Sequence, residues 1–123
     1  FIAETQKKAI ELARPYFEEA MKFAAPLGLM RLSPEQIEAV AHSGRRRGVE
    51  LPTLESAVAG KGWLCGPPEL IVEHLMSVEE EYPGVERINL GSVMGMPQAV
   101  FKDQLTKFAA GVMPAFLGRA TAA

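Results

Sequence analysis

A chain of 123 residues with 48% hydrophobic and 23% charged residues is typical of a globular domain with a core of its own. A net charge of −2 favours neither nucleic acid nor anionic lipid as a partner, and no apolar run approaches the roughly 20 residues that a membrane-spanning helix needs. The single cysteine, Cys65, excludes an internal disulfide and favours a reducing, cytoplasmic compartment. No basic-then-apolar leader is present, so we expect no secretion.

The first half of the chain predicts helices. Apolar residues recur at three- and four-residue steps over residues 3–25, with charged residues between them. Pro15 interrupts this pattern, so we expect a kink near Arg14, or a break that makes Pro15 the start of a second helix. A further helix is predicted after Ser33, which is followed by proline, glutamate and glutamine as in a capping box. Thr53 predicts the cap of one more short helix.

The second half predicts two strand-to-helix passages. The short apolar segment Trp63–Cys65 stops at a glycine, and a helix pattern opens at Pro67. The segment Arg87–Leu90 is likewise followed by a glycine-rich turn and by a helix pattern that opens at Pro97. Strand, turn, helix and strand again form the repeating unit of a parallel α/β sheet, so we expect these segments to be neighbouring parallel strands with a right-handed crossover.

Two turns in these passages are candidate binding sites. Gly66 leads into a helix whose first amides could face an anion, although Pro67 and Pro68 remove two of the donors. Gly91 and Ser92 belong to a longer turn with a hydroxyl group and little side-chain bulk. The alternative is that the glycines serve only the geometry of the turns.

No catalytic residue and no metal site is predicted. His42 and His74 lie on different predicted helices, without further ligands at metal-binding spacing. Cys65 ends an apolar segment and has no identifiable partner base, so we expect it to be a packed side chain rather than a nucleophile.

Three segments in order resemble the end of the bacterial luciferase-like flavin monooxygenases. Residues 63–75 are similar to a strand, a Gly-x-Pro turn and a helix of that family, although Pro67 stands where a serine or threonine is usual. Residues 88–97 look like the family's eighth strand and its Gly-x-Pro turn. Residues 105–116 are similar to the final helix, which commonly ends in Val-Met-Pro. The resemblance covers about residues 61–117.

The resemblance implies a (β/α)₈ TIM barrel that oxygenates an organic substrate with molecular oxygen and reduced flavin, either FMN or the deazaflavin F420. Such a barrel needs about 250 residues, so the chain would be the carboxyl-terminal portion of a longer enzyme. Residues 1–60 would be a helical segment inserted before strand seven, and residues 61–123 the last two βα units. Gly66, Gly91 and Ser92 would then face the flavin.

Whether this chain is itself an enzyme stays open at the level of the sequence. The parent protein is expected to be a flavin-dependent monooxygenase whose partners are flavin and a small organic substrate. The chain alone is expected to retain no flavin and to be inactive. Because two strands leave unpaired edges, we expect it to form homo-oligomers. The alternative is a non-enzymatic, mostly helical module that self-associates.

Overall fold

The computed structural model describes residues 1–42, 44 and 47–118, most of which are helical. The longest helix opens the fold, and two short helices precede the two of the second half. Within the described residues the α-helices are α1 Gln6–Ala24, α2 Pro34–Ala41, α3 Leu54–Ala59, α4 Pro68–Glu81 and α5 Gln98–Gly111, with a 3₁₀ turn at Met113–Ala115. None of these helices is long and apolar enough to cross a membrane.

The first three helices each begin at a hydroxyl residue that caps the backbone. The side-chain oxygens of Thr5, Ser33 and Thr53 each accept a hydrogen bond from the backbone N–H three residues further on. At Ser33 the Gln36 side chain reaches back to accept from the Ser33 N–H, which completes a capping box. The helix starts predicted after Ser33 and Thr53 are therefore confirmed.

One continuous helix, α1, runs through Pro15, so the predicted break does not form. A proline inside a helix costs about 3 kcal/mol because it removes one hydrogen bond and crowds the preceding turn. Phe17 and Met21 are both buried beyond the proline, and burying such side chains stabilises by about 1.5–3 kcal/mol each. Burial of one face on both sides of Pro15 therefore offsets the lost hydrogen bond.

The core divides into two clusters of buried side chains. The larger joins the buried face of α1 to α2 and α3, and Cys65 packs into it with only 1% of its surface exposed. The smaller consists of Ile2, Ile71, Leu75 and Val112, so it joins the amino-terminal segment to α4 and the end of α5. The candidate site lies beside this second cluster.

The predicted sheet of two βα units is wrong. Among the described residues the only β pairing is one isolated parallel bridge, between Ile2 and Gly66. The Gly66 N–H donates to the Phe1 carbonyl at 3.0 Å, and the Ala3 N–H donates to the Gly66 carbonyl at 3.2 Å. Arg87–Leu90 has no strand assignment and is exposed. The residue after the first predicted strand thus pairs with the amino-terminal segment, and the second predicted strand pairs with no other segment among the described residues. The described part of the chain therefore shows no portion of a TIM barrel.

The second half of the chain is less well buried than the first. Helices α4 and α5 pack against each other, and a Cβ placed on Gly111 would lie 2.8 Å from the Pro68 ring, so the two helices meet closely only because residue 111 has no side chain. No residue of α5 is buried. In the segment that connects α4 to α5 along the chain, the apolar side chains of Val85, Ile88 and Leu90 are 43–50% exposed.

Candidate functional site

A cleft of about 450 Å³ opens beside the second core cluster. Its walls come from the amino-terminal residues, the Trp63–Leu64 pair, the inner face of α4, the irregular segment 88–96 and one side of α5. Pockets for small organic ligands commonly have volumes of about 300–1,000 Å³, so this cleft is large enough for one.

Aromatic rings fix one wall of the cleft. The rings of Phe1 and Trp63 are nearly parallel, with centroids 6.3 Å apart. The ring of Tyr16 also stacks on Phe1, with centroids 5.5 Å apart. Phe17 meets Trp63 edge-on at 5.3 Å, which is a favourable aromatic arrangement. Because α1 supplies Tyr16 and Phe17, the first core cluster holds Trp63 in place at the edge of the cleft.

Gln104 ties α5 to the amino-terminal segment. Its Oε1 accepts from the Ile2 N–H at 2.6 Å, and its Nε2 donates to the Ile2 carbonyl at 3.2 Å. In a parallel bridge the residues on either side of Ile2 bond to Gly66, so the polar groups of Ile2 itself face away from that partner. The Gln104 amide therefore bonds Ile2 where the backbone of a second strand would.

The cleft offers a ligand few polar groups. Asn89 and Gln104 are the amide side chains of its lining, and the Gln104 amide is already engaged by Ile2. Asn89 is exposed, and its side chain makes no hydrogen bond within the described part of the chain. The amino group of Phe1 donates to the Leu64 carbonyl at 2.6 Å, and burial lowers its pKa, which disfavours its charged form. Asn89 is thus an amide side chain of the lining that can bond a polar group of a ligand.

The three predicted cofactor-binding residues do not come together in the cleft. Gly91 lines it, and a Cβ at this position would have no atom within 4 Å. Gly66 lies outside the lining: its backbone groups bond the amino-terminal segment, and a Cβ there would lie 2.6 Å from Leu70 Cδ2. Ser92 is exposed and also lies outside the lining. Gly66 therefore serves close packing in this structure, as the alternative interpretation allowed.

The residues present do not fit the phosphate of FMN. A phosphate site needs cationic side chains or several free backbone amides. No lysine, arginine or histidine side chain lines the cleft within the described residues. The start of α4 provides little more, because Pro68 has no N–H and the amides of Leu70 and Ile71 already donate to the Pro67 carbonyl. The uncharged ring system of a flavin could meet this lining, but no cationic side chain of the described residues meets its phosphate.

The surroundings of Cys65 disfavour the reactive form of its thiol. Burial raises the pKa of the Cys65 thiol, which disfavours the thiolate that a nucleophile requires. Within the described residues no group of three or more histidine, cysteine, aspartate or glutamate side chains could hold a metal ion.

A second, more open groove of about 810 Å³ lies between the start of α1 and the end of α5. Two lysines stand at its edge, and both are already paired on their own helices or next to them. Lys8 contacts Glu4 at 2.5 Å, and Lys107 contacts Asp103 at 2.7 Å. Among the described residues the groove therefore has no unpaired lysine with which to attract an anionic ligand.

Sequence reasoning missed the amino-terminal segment and Gln104, which both line the cleft. The apolar residues Phe1–Ala3 precede a helix pattern just as Trp63–Cys65 does, so the signal for a third extended segment was present. Gln104 carried no signal, because a glutamine in an amphipathic helix is common on exposed faces. No family model, curated protein or solved structure matches this chain.

Proposed function

We propose that the chain is part of a flavin-dependent, luciferase-like monooxygenase and supplies an apolar wall of the site that holds the organic substrate. One observation carries this proposal: the three segments whose sequences resemble that family meet at one cleft. Trp63 and Leu64 come from the first segment, Ile88 and Gly91 from the second, and Phe108 from the third. Segments brought together only by chance of composition would not be expected to share one cavity.

In this proposal the chain orients the substrate and keeps water away from it. An apolar lining binds an organic molecule mainly by the hydrophobic effect, and exclusion of water prevents competing hydrolysis of reactive intermediates. FMN or F420, when bound, supplies the oxygen chemistry. Because the cleft lacks a phosphate site, the cofactor would be held by parts of the enzyme outside this chain. The chain alone would therefore be inactive. A cytoplasmic location accompanies the proposal and agrees with the free thiol of Cys65.

The second candidate is a non-enzymatic, mostly helical module that self-associates. The exposure of Val85, Ile88 and Leu90, together with a fifth helix that buries none of its residues, favours it. Exposed apolar side chains that are close together commonly mark interaction surfaces. Light scattering of the purified chain measures this directly, and a concentration-dependent rise in mass would support self-association in either candidate.

Oxygen incorporation distinguishes the two candidates. The whole open reading frame that contains this chain is expressed and supplied with reduced FMN or F420, labelled dioxygen and a panel of neutral organic compounds. A monooxygenase places one labelled oxygen atom in an organic product, and omission of the reduced cofactor abolishes the product. The chain alone, assayed in parallel, should form none. If the protein from the whole reading frame transfers no labelled oxygen to any compound, with either reduced cofactor, the enzymatic proposal is wrong.

A further inference from the structure

We propose that the cleft of about 450 Å³ selects an uncharged, mainly apolar small molecule and rejects carboxylates and phosphates of the same size. The inference rests on the proposed function only in identifying that molecule as the substrate. It concerns the charge of the ligand, which neither the resemblance nor the position of the cleft determines.

The charges around the cleft carry the first step. Within the described residues its lining contains no charged side chain. An anion that enters must lose its hydration shell, and without a cation or several free donors it recovers little of that loss. The Phe1 amino group is partly buried and donates to the Leu64 carbonyl, and burial lowers its pKa, which disfavours the ammonium that would attract an anion. The Gln104 amide is engaged by Ile2, so it gives little compensation. A neutral molecule avoids this penalty.

The exposed amide of Asn89 carries the second step. Asn89 stands at the exposed edge of the lining with an amide that bonds nothing in the described residues. One amide can donate to and accept from a single hydroxyl or carbonyl group. Most of the rest of the lining, including Leu64, Ile71 and Phe101, is apolar and would contact the carbon atoms of a ligand. The preferred ligand thus has one neutral polar end and an apolar body.

Size provides the third step. Burying one methylene group is worth about 0.8 kcal/mol, which corresponds to about a fourfold gain in affinity. Each carbon added to a linear ligand should therefore tighten binding by up to this factor until the body fills the cleft. Beyond that length the gain should stop, whereas adsorption to an open apolar surface would continue to strengthen.

The experiment uses the single tryptophan as its reporter, because Trp63 lines the cleft. The purified chain is titrated with n-butanol, n-hexanol, n-octanol and longer alcohols, and with octanoate, while Trp63 fluorescence is followed. We expect saturable binding of the alcohols, with affinity rising up to about fourfold per methylene and then levelling off. Octanoate at neutral pH should bind at least tenfold more weakly than n-octanol. Equal binding of the two, or no saturable response to any alcohol, would overturn the proposal.

Two lysine substitutions on α5 provide the matched comparison. Phe101 lines the cleft and is partly exposed, so the long side chain in Phe101→Lys can reach the entrance while its ammonium group stays hydrated. It should weaken n-octanol binding and strengthen octanoate binding. Leu105→Lys makes the same change at a partly exposed residue of the same helix outside the lining, and should alter neither affinity. Circular dichroism establishes that both variants are folded, and equal effects of the two would place the ligand elsewhere.

The outcomes separate this inference from the proposed function. Selective binding of neutral alcohols without any labelled oxygen in products of the whole reading frame would refute the monooxygenase and leave the cleft's selectivity standing. Labelled products from anionic substrates, with no preference for n-octanol over octanoate in the cleft, would refute the selectivity and leave the monooxygenase standing.

Discussion

Replacing Gln104 with leucine should destabilise the chain far more than an ordinary substitution on a helix surface. Gln104→Leu keeps nearly the same side-chain volume but removes both hydrogen bonds to Ile2, a residue that is only 6% exposed. A typical hydrogen bond contributes about 0.5–1.5 kcal/mol net, and a buried polar group left without a partner costs about 1–3 kcal/mol. Since Gln104 is partly exposed, water can replace some of the loss, so we expect a decrease of about 2–4 kcal/mol in the free energy of unfolding.

Gln104→Glu separates the two hydrogen bonds. The ionised carboxylate can still accept from the Ile2 N–H, but it cannot donate to the Ile2 carbonyl, whereas the protonated form can do both. The protonated form is therefore favoured in the folded state, and the folded pKa of this glutamate should be raised. A raised folded pKa means that the stability from this group is fully present below the unfolded pKa of about 4.3 and is lost as the pH rises through the folded value.

Urea unfolding followed by Trp63 fluorescence and by circular dichroism measures these changes. Gln98→Leu is the matched control, because Gln98 is an exposed residue of α5 whose side chain makes no hydrogen bond among the described residues, and its replacement should change stability by less than about 0.5 kcal/mol. Relative to wild type, Gln104→Glu should be nearly as stable at acid pH and clearly weaker at neutral pH. A Gln104→Leu variant as stable as the Gln98→Leu control would show that Gln104 does not hold the amino-terminal segment.

Three further results are expected. Gly111→Ala should destabilise by about 1–2 kcal/mol in urea unfolding despite the higher helix propensity of alanine, because the added Cβ would lie 2.8 Å from the rigid Pro68 ring; a gain in stability would contradict that contact. Because burial raises the folded pKa of Cys65, the stability from the neutral thiol is present below its unfolded pKa of about 8.5 and is lost as the pH rises through the folded value; Cys65→Ala should remove this alkaline loss, and an unchanged pH profile would count against it. Titration of the isolated chain with FMN, followed by flavin fluorescence, should give an affinity weaker than about millimolar, and saturable micromolar binding would refute the absence of a phosphate site.

Local chemistry made the helices predictable from the sequence, whereas the pairing of extended segments was not. Ser33 and Thr53 cap their helices through bonds to residues three positions away, so the sequence itself contains both partners. The composition of Trp63–Cys65 predicts an extended segment, but the segment that it pairs with lies about 60 positions earlier in the chain. Tertiary packing, and not the local sequence, determines that pairing. Arg87–Leu90 has the composition of a strand and no neighbouring strand among the described residues, and a strand without a neighbour gains no backbone hydrogen bonds.

The candidate site was predictable only in part, for the same reason. Gly91 lines the cleft, where a Cβ would have no atom within 4 Å, and a glycine-rich turn does indicate an accessible backbone. Gly66 has the same composition signal, but it is required by the close approach of Leu70 and by the bridge to Ile2. A sequence cannot distinguish a glycine needed for a ligand from one needed for a neighbouring side chain, since both require only the absence of a Cβ.

The attachment of α5 through Gln104 has a consequence for the order in which the chain assembles. Helices α1, α2 and α3 can pack as soon as the first half of the chain is available, whereas the bond from Gln104 to Ile2 closes a loop across 102 positions. Contacts over such separations form late, and elements with few buried side chains open first under native conditions. Amides of α5, which buries no residue of its own, should therefore exchange with solvent ahead of those near Ala9 and Ala13. The α5 side of the cleft is thus the side that should open and close while the three-helix half stays folded.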